Sequence, residues 1–215
     1  MNKQNIVVFD FETGSVDTRT CEVIEIACAA YDPRKLEIIP GSEFVSLVRP
    51  LDFNNIQDEA LRVNHKTKEE LCVAPELSVV WPRFCDHIHK YNANGKSPFT
   101  APIPAGYNTR NFDMPIFNRI CQKFGYCSKN GVQNVFHTMN HFDLRDIVIM
   151  FFENSEALPN YKFDTLRPYF GLEGGDNAHT AMFDVIQTGE LLTRYLKLIR
   201  TLNIRFKDSC RKAVA

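Results

Sequence analysis

A surplus of charge of one sign is missing from this sequence. Lys plus Arg number 25 and Asp plus Glu 26, for a formal net charge of −1. That balance excludes a generally basic coat, so a nucleic-acid partner would have to be held locally. No apolar run approaches the ~20 residues that a membrane-spanning helix needs. The opening residues MNKQ lead into a strand without an apolar leader, so a cytoplasmic protein is expected. No C-x-x-C pair occurs among the seven cysteines, at 21, 28, 72, 85, 121, 127 and 210. Most sit in apolar company, which predicts reduced core thiols rather than zinc ligands or a disulfide framework. There is no internal repeat, no low-complexity tract and no dividing linker. The 215 residues suit one domain, 1–215, with a core over about 5–202 and a basic tail at 203–215.

What is present is punctuated apolar patterning. Three strands open the chain, at 5–12, Glu22 to Tyr31 and Glu43 to Val48, joined by short polar or Pro/Gly-containing turns that predict an antiparallel meander. Residues 54–72 read as short helical turns. Pro75 to Tyr91 carries Leu77, Val80, Phe84 and Ile88 at helical spacing, and Pro82 predicts a kink or a later start. A strand follows at Ile103 to Tyr107, then a helix at Phe112 to Phe124 with Pro115 in its first turn. Residues 128–141 read as loop, Leu144 to Phe152 and Lys162 to Tyr169 as helices. The last helix is marked by an apolar stripe of Ala178, Ala181, Met182, Val185, Ile186, Gly189, Leu192, Leu196 and Ile199. Strands first, then strand and helices in alternation, predict an α/β layer fold on a mixed sheet.

The first strand poses a chemical problem. In IVVFDFETG, Ile6, Val8, Asp10 and Glu12 share one face by the period of two, and Val7, Phe9 and Phe11 the other. Apolar residues on both faces imply cover on both sides. Two carboxylates at the end of a dry strand repel each other and must either take up protons or meet a cation. Hard divalent ions prefer such oxygens, though two acids at a solvent-facing strand mouth fit the pattern equally. Asp113, in GYNTRNFD, reads as a helix-start acid or as a further ligand. Asp184 follows in NAHTAMFD, early in the last helix. His179, five residues before it, lies ~140° away around an ideal helix. If both serve one site, His179 must precede the helix or occupy its first turn.

The order D-x-E, N…F-D, H-x-A-x-x-D resembles the DEDD exonuclease superfamily, histidine subtype, which includes proofreading subunits and the RNase T type. The resemblance runs from Val7 to about Leu192 and includes Glu25-Ile26-Ala27 and the LRPYFGL stretch, Leu166 to Leu172. The middle motif has one residue more than the common N-A-x-F-D form, a spacing most like the nuclease domain of exonuclease I. The further C-terminal domains of exonuclease I are expected to have no counterpart here.

The resemblance implies a ribonuclease H-like α/β fold with a central five-stranded mixed sheet. It implies a 3′-to-5′ exonuclease that releases nucleoside 5′-monophosphates with two divalent cations, Mg²⁺ or Mn²⁺. Asp10, Glu12, Asp113 and Asp184 would hold the metals and His179 would be the general base, with Thr180 at the position where the tyrosine subtype carries its base. Thr13 and Gly14 would position the terminal nucleotide, Asn108 would shape the site and His65 would present a substrate-pocket side chain. Single-stranded DNA is the first expected substrate and RNA ends the second. A polymerase or another replication or repair protein is the kind of partner implied, in a bacterial or phage-infected cytoplasm. A module that binds ends without cutting is the contrasting class, and the complete acid set weighs against it.

Other residues have plainer readings. His65 fits a capping or surface histidine as well as a pocket residue. His87 and His89, two apart on a helix, read as surface residues. His137 and His141 fall in a polar loop with no carboxylate cluster beside them. Trp81 and the 17 phenylalanines have the shape to stack on bases, and core packing accounts for most of them. Arg194, Lys197, Arg200, Arg205, Lys207, Arg211 and Lys212 outnumber Glu190 and Asp208 in the C-terminal segment; as a backbone-gripping surface they compete with a plain solvated helix face.

Overall fold

In the computed structural model the described residues are 4–95, 97–172 and 180–213, with the side chains of 203–213 outside the description. Strand β1 (Ile6–Thr13) is the centre of a mixed sheet. β2 (Val23–Asp32) lies antiparallel to it, with Glu12 directly opposite Glu25. β3 (Glu37–Ile38) and β4 (Phe44–Leu47) both pair antiparallel with the far edge of β2. On the other side of β1, β5 (Ile103–Gly106) and then β6 (Phe142–Asp143) run parallel. The meander of the first three long strands is therefore as expected. The sheet has six strands, against the five implied by the resemblance and the four read from the pattern, because the two-residue β3 and β6 are too short to leave an alternation in the sequence.

Between β4 and β5 come a 3₁₀ turn at Phe53–Asn55, then α1 (Asp58–Val63), α2 (Lys68–Val73) and α3 (Leu77–His89). In α2, Thr67 and Glu70 close a capping box that satisfies two otherwise orphan N–H groups. Pro82 does not divide α3, which starts at Leu77 and is continuous through it to His89. A proline at this depth costs about 3 kcal/mol, and the wholly buried Val80, Trp81, Phe84, Cys85 and Ile88 offset it. α4 (Asp113–Phe124) does hold Pro115 in its first turn and ends on Gly125, whose φ of 76° is the left-handed stop that glycine adopts without strain. α5 (Leu144–Phe152) and α6 (Phe163–Tyr169) follow, then α7 (Ala181–Ala213). α7 runs on through most of what was set apart as a tail.

The alternation in β1 sorts the core into two layers. Val7, Phe9 and Phe11 pack with Trp81, Phe84, Phe117 and Phe136 on the side of α3 and α4. Ile6 and Val8 pack with Leu144, Leu166, Ala181, Val185 and Leu192 on the side of α5, α6 and α7. Trp81 is fully buried against Phe11, Phe84 and Phe117 and so belongs to the core. Gly189 lets α7 lie close on the sheet, since a Cβ there would meet the Tyr31 hydroxyl at 1.9 Å. The apolar stripe on α7 is rotated from its expected line. Ile186 and Ile199 are 38% and 41% exposed, whereas Gln187, Thr188 and Leu191 are buried. Farther along the helix Leu198 and Leu202 are exposed as well, so there the pattern no longer reports a buried face. Cys21, Cys28, Cys85 and Cys121 are buried free thiols, as expected; Cys72 is exposed. Among the described residues no helix is long and apolar enough to cross a membrane.

Candidate active site

Asp10 and Glu12 leave β1 on the face covered by α7, because they continue the line of Ile6 and Val8. α7 enters that face at Ala181 and brings Asp184 within its first turn. One ligand oxygen from each of Asp10, Glu12 and Asp184 lies within 4.8 Å of the others. Asp113 stands outside this trio. It is buried at the first position of α4, and its Oδ1 accepts a hydrogen bond from the backbone N–H of Phe11 at 3.1 Å. The fourth acid is thus tied to the peptide between the first two.

Electrostatics follow from this crowding. Burial raises the Asp10 carboxyl well above the usual carboxylate range, and repulsion from Asp113, Glu12 and Asp184 adds to it. Glu12 is pushed up to about 8, first by burial and then by Asp184 and Glu25, with Lys66 acting the other way. Asp113 also rises to about 8 through burial, opposed by its hydrogen bond from Phe11. Such a set favours either bound protons or a bound cation. Its donors are carboxylate oxygens throughout, and their charge is only partly compensated from within, which fits a hard divalent cation such as Mg²⁺ or Mn²⁺.

Glu25 is a fifth carboxylate beside the cluster, and its oxygens are already engaged. Oε1 accepts from Lys66 Nζ at 3.1 Å and Oε2 from the Ala181 N–H at 3.0 Å. It therefore fastens β2 to the start of the helix that carries Asp184, where the helix dipole favours a negative charge.

The other expected site residues lie as follows. His179, with Asn177 and Ala178, falls outside the described residues. Gly14 is held in a tight turn: its N–H donates to the Glu22 carbonyl at 2.8 Å and its carbonyl accepts from Gln57 at 2.9 Å. A Cβ there would meet Ile56 Cδ1 at 2.2 Å, so the lack of a side chain has a packing cause. The Thr13 carbonyl accepts from buried Asn64, and its hydroxyl donates to the Ser15 carbonyl at 2.8 Å. Beside this turn opens a cleft of about 330 Å³ lined by Ser15, Val16, Asp17, Thr20, Asn54, Asn55 and Gln57. His65 is exposed just after α1 with a φ of 51°, a left-handed turn position. Asn108 also has a positive φ, 58°, and its side chain accepts from Asn111 within the loop.

Two side chains matter to this site that the motifs did not single out. Asp143, buried at the end of β6, accepts from the N–H groups of Asn108, Arg110 and Arg145 at 2.9, 2.9 and 3.0 Å. It fixes the loop that delivers Asp113 and caps α5. The available signal was its position directly before the apolar run of α5, where an N-cap acid belongs. His141, expected as a bystander in a polar loop, contacts Thr109 Oγ1 through Nε2 at 2.8 Å and braces the same loop; burial lowers its proton affinity. His87 likewise is half-buried, with Nε2 2.8 Å from the Ser42 carbonyl, rather than a free surface residue. The second side chain at the site is Arg167, which is bonded to Asp184.

A family model for exonucleases of the RNase T type matches residues 7–192. Among solved structures, E. coli exonuclease I in complex with a dT13 oligonucleotide is similar, at 20% identity and a TM-score of 0.74, over 96% of this chain and 43% of that one. The zinc ion-bound E. coli exonuclease I–ssDNA complex is similar at 21% identity and a TM-score of 0.71, over 96% and 42%. Cell-death related nuclease 4 is similar at 16% identity and a TM-score of 0.69, over 92% and 65%. This chain thus spans less than half the length of exonuclease I. A sequence search of curated proteins gives no significant match. The ribonuclease H-like fold and the motif order agree with the family match, and the chain belongs to the RNase T-type exonuclease family of the DEDD superfamily.

Proposed function

We propose that this protein is a 3′-to-5′ exonuclease that removes nucleoside 5′-monophosphates from nucleic acid with the help of two divalent cations. The observation that carries the reading is the convergence of Asp10, Glu12 and Asp184 within 4.8 Å, with Asp113 tied to the intervening peptide. Asp10, Glu12 and Asp184 would hold one ion between them, and Asp10 with Asp113 would place the second. When bound, such ions lower the proton affinity of a water and offset the charge that grows on a scissile phosphate. His179 takes the proton from the attacking water, a task that suits an imidazole, whose ordinary pKa is near neutral. The turn at Thr13 and Gly14 forms the wall against which the terminal nucleotide rests. Asn108 keeps the approach to Asp113 in its left-handed turn, and His65 stands at the rim of the substrate pocket.

Single-stranded DNA is the proposed substrate. The spacing of the middle motif supports it, as does likeness to exonuclease I solved with a dT13 oligonucleotide. The module is proposed to span about 5–202 in one domain, with the basic segment beyond it gripping phosphates. The test is a degradation assay on 5′-labelled single-stranded DNA, single-stranded RNA and blunt duplex, with Mg²⁺, Mn²⁺ or chelator. A ladder that shortens from the 3′ end, needs metal and disappears in Asp10→Ala is expected. Faster loss of RNA would reassign the substrate, and activity that survives both chelator and Asp10→Ala would overturn the reading.

A further inference from the structure

The guanidinium of Arg167 is among the most deeply buried charges of the described residues. The residue is 3% exposed, on α6, and reaches toward α7. Its Nη2 bonds Asp184 Oδ1, its Nη1 bonds Asp164 and its Nε donates to Gln187 Oε1 at 3.1 Å. Phe163 lies beneath the guanidinium at 4.5 Å and Phe183 at 5.8 Å. A cation in such surroundings is costly unless a carboxylate of matching burial answers it. Asp164 is 58% exposed on its side chain and largely screened by water; Asp184, at 17%, is the partner that answers the charge.

The acids need the converse. Lys66 answers Glu25 on one flank of the site, and Arg167 answers Asp184 on the other. The planar fork also fixes direction. With Nε held by Gln187, one helical turn beyond Asp184, the Nη2 group meets Oδ1 of that carboxylate from a set angle. The same carboxylate offers an oxygen to the trio with Asp10 and Glu12, so the guanidinium and a cation in the cluster would share it.

We propose that Arg167 is an internal counter-ion of the acid cluster. It is a positioning residue that orients Asp184 through Oδ1, stands in for positive charge before a cation arrives, and moderates how tightly that cation is held. The inference rests on the metal-site reading above. It differs from a plain structural tie between α6 and α7 in one respect: the presence of a divalent cation must change what Arg167 is worth.

Full-length wild type, Arg167→Met, Arg167→Lys and Asp164→Asn would be compared without nucleic acid, by calorimetric titration with Mn²⁺ and by melting in chelator and in saturating Mg²⁺. Arg167→Met should bind Mn²⁺ about tenfold more tightly, since a competing charge beside a ligand is gone. It should melt below wild type in chelator and recover in Mg²⁺, so that its Mg²⁺-dependent rise exceeds that of wild type by about 5 °C. Its turnover on single-stranded DNA should nonetheless fall about 10- to 100-fold, because Asp184 loses its orientation. Arg167→Lys should lie between, keeping the charge and losing the fork. Asp164→Asn should match wild type in metal affinity and metal-dependent rise. Equal or weaker Mn²⁺ affinity together with equal Mg²⁺-dependent rises in wild type and the Arg167 variants would overturn the inference. Should Arg167→Met fail to fold, Arg167→Lys decides alone by the same criterion. A wild type that neither binds Mn²⁺ nor gains stability from Mg²⁺ would overturn the metal-site reading itself, a separate result.

Discussion

The Phe11 N–H donates to Asp113 Oδ1 at 3.1 Å, across 102 residues of sequence. That bond sets the start of α4 against the peptide that separates Asp10 from Glu12. It gives Asp113 a structural duty that does not depend on its charge. Asp113→Asn retains an acceptor for Phe11 and removes one source of repulsion from Asp10. The variant is expected to melt at or above the wild-type temperature in chelator while losing ~100-fold or more in turnover. Asp113→Ala should lose both. Thermal melts beside single-turnover rates check this, and a destabilised Asp113→Asn would contradict it.

Stability without metal should depend on pH in a direction opposite to that of an ordinary salt-bridged acid. Glu12 and Asp113 have folded proton affinities near 8, above their unfolded values of 4.5 and 3.8, and Asp10 is raised as well. The folded chain therefore holds more protons than the unfolded chain between these limits, and raising the pH favours unfolding. In chelator the melting temperature is expected to fall from about pH 4.5 to about pH 8 and to level off above. Every tenfold gain in proton affinity on folding corresponds to about 1.4 kcal/mol of stability that deprotonation removes. Saturating Mg²⁺ should flatten the slope, and titration near neutral pH should release protons to the buffer. A melting temperature that climbs across this window in chelator would exclude the buried, only partly compensated carboxyl cluster.

Asp143 holds three backbone N–H groups at the loop before Asp113 and at the head of α5. Its replacement by Ala leaves those donors unanswered in a buried place, at a cost of about 1–3 kcal/mol. Turnover should fall with it, because the loop that seats Asp113 is released. Asn is expected to restore part of both. Denaturant melts with parallel kcat and KM values test the claim, and a full loss of activity at unchanged stability would instead place Asp143 in the chemistry.

His179→Ala should lower kcat by about 10²–10⁴-fold, the usual worth of a positioned general base. Mn²⁺ affinity should be nearly unchanged, since the proposed ligands are the carboxylates. A variant that loses metal binding with its activity would reassign His179 from base to ligand.

Grip on the phosphate backbone is expected from Arg205, Lys207, Arg211 and Lys212. Neutralising all four should weaken binding of single-stranded DNA and reduce the slope of log K against log salt by up to ~3, at ~0.7 per phosphate contact. An identical slope would leave these residues as a solvated helix end.

Local patterning carried a large share of this protein. The period of two in Ile6 to Glu12 was enough to place both acids on one face, because a strand fixes side-chain direction residue by residue. Pro115 marked the first turn of α4 and the Leu144 run marked α5, since backbone sterics and burial act within a few neighbours. The motif order pointed to the family, and the family model matches over residues 7–192. Tertiary structure decided the rest. β3 and β6 are pairings of two residues, stabilised by their neighbours rather than by their own composition. α3 continues through Pro82 because burial outweighs local strain. Which acids face one another, which is tied to Phe11, and which is answered by Arg167 depend on packing α4, α6 and α7 against one end of β1. Coulomb energies and desolvation depend on distances in space, and a sequence lists those residues without saying how far apart they lie.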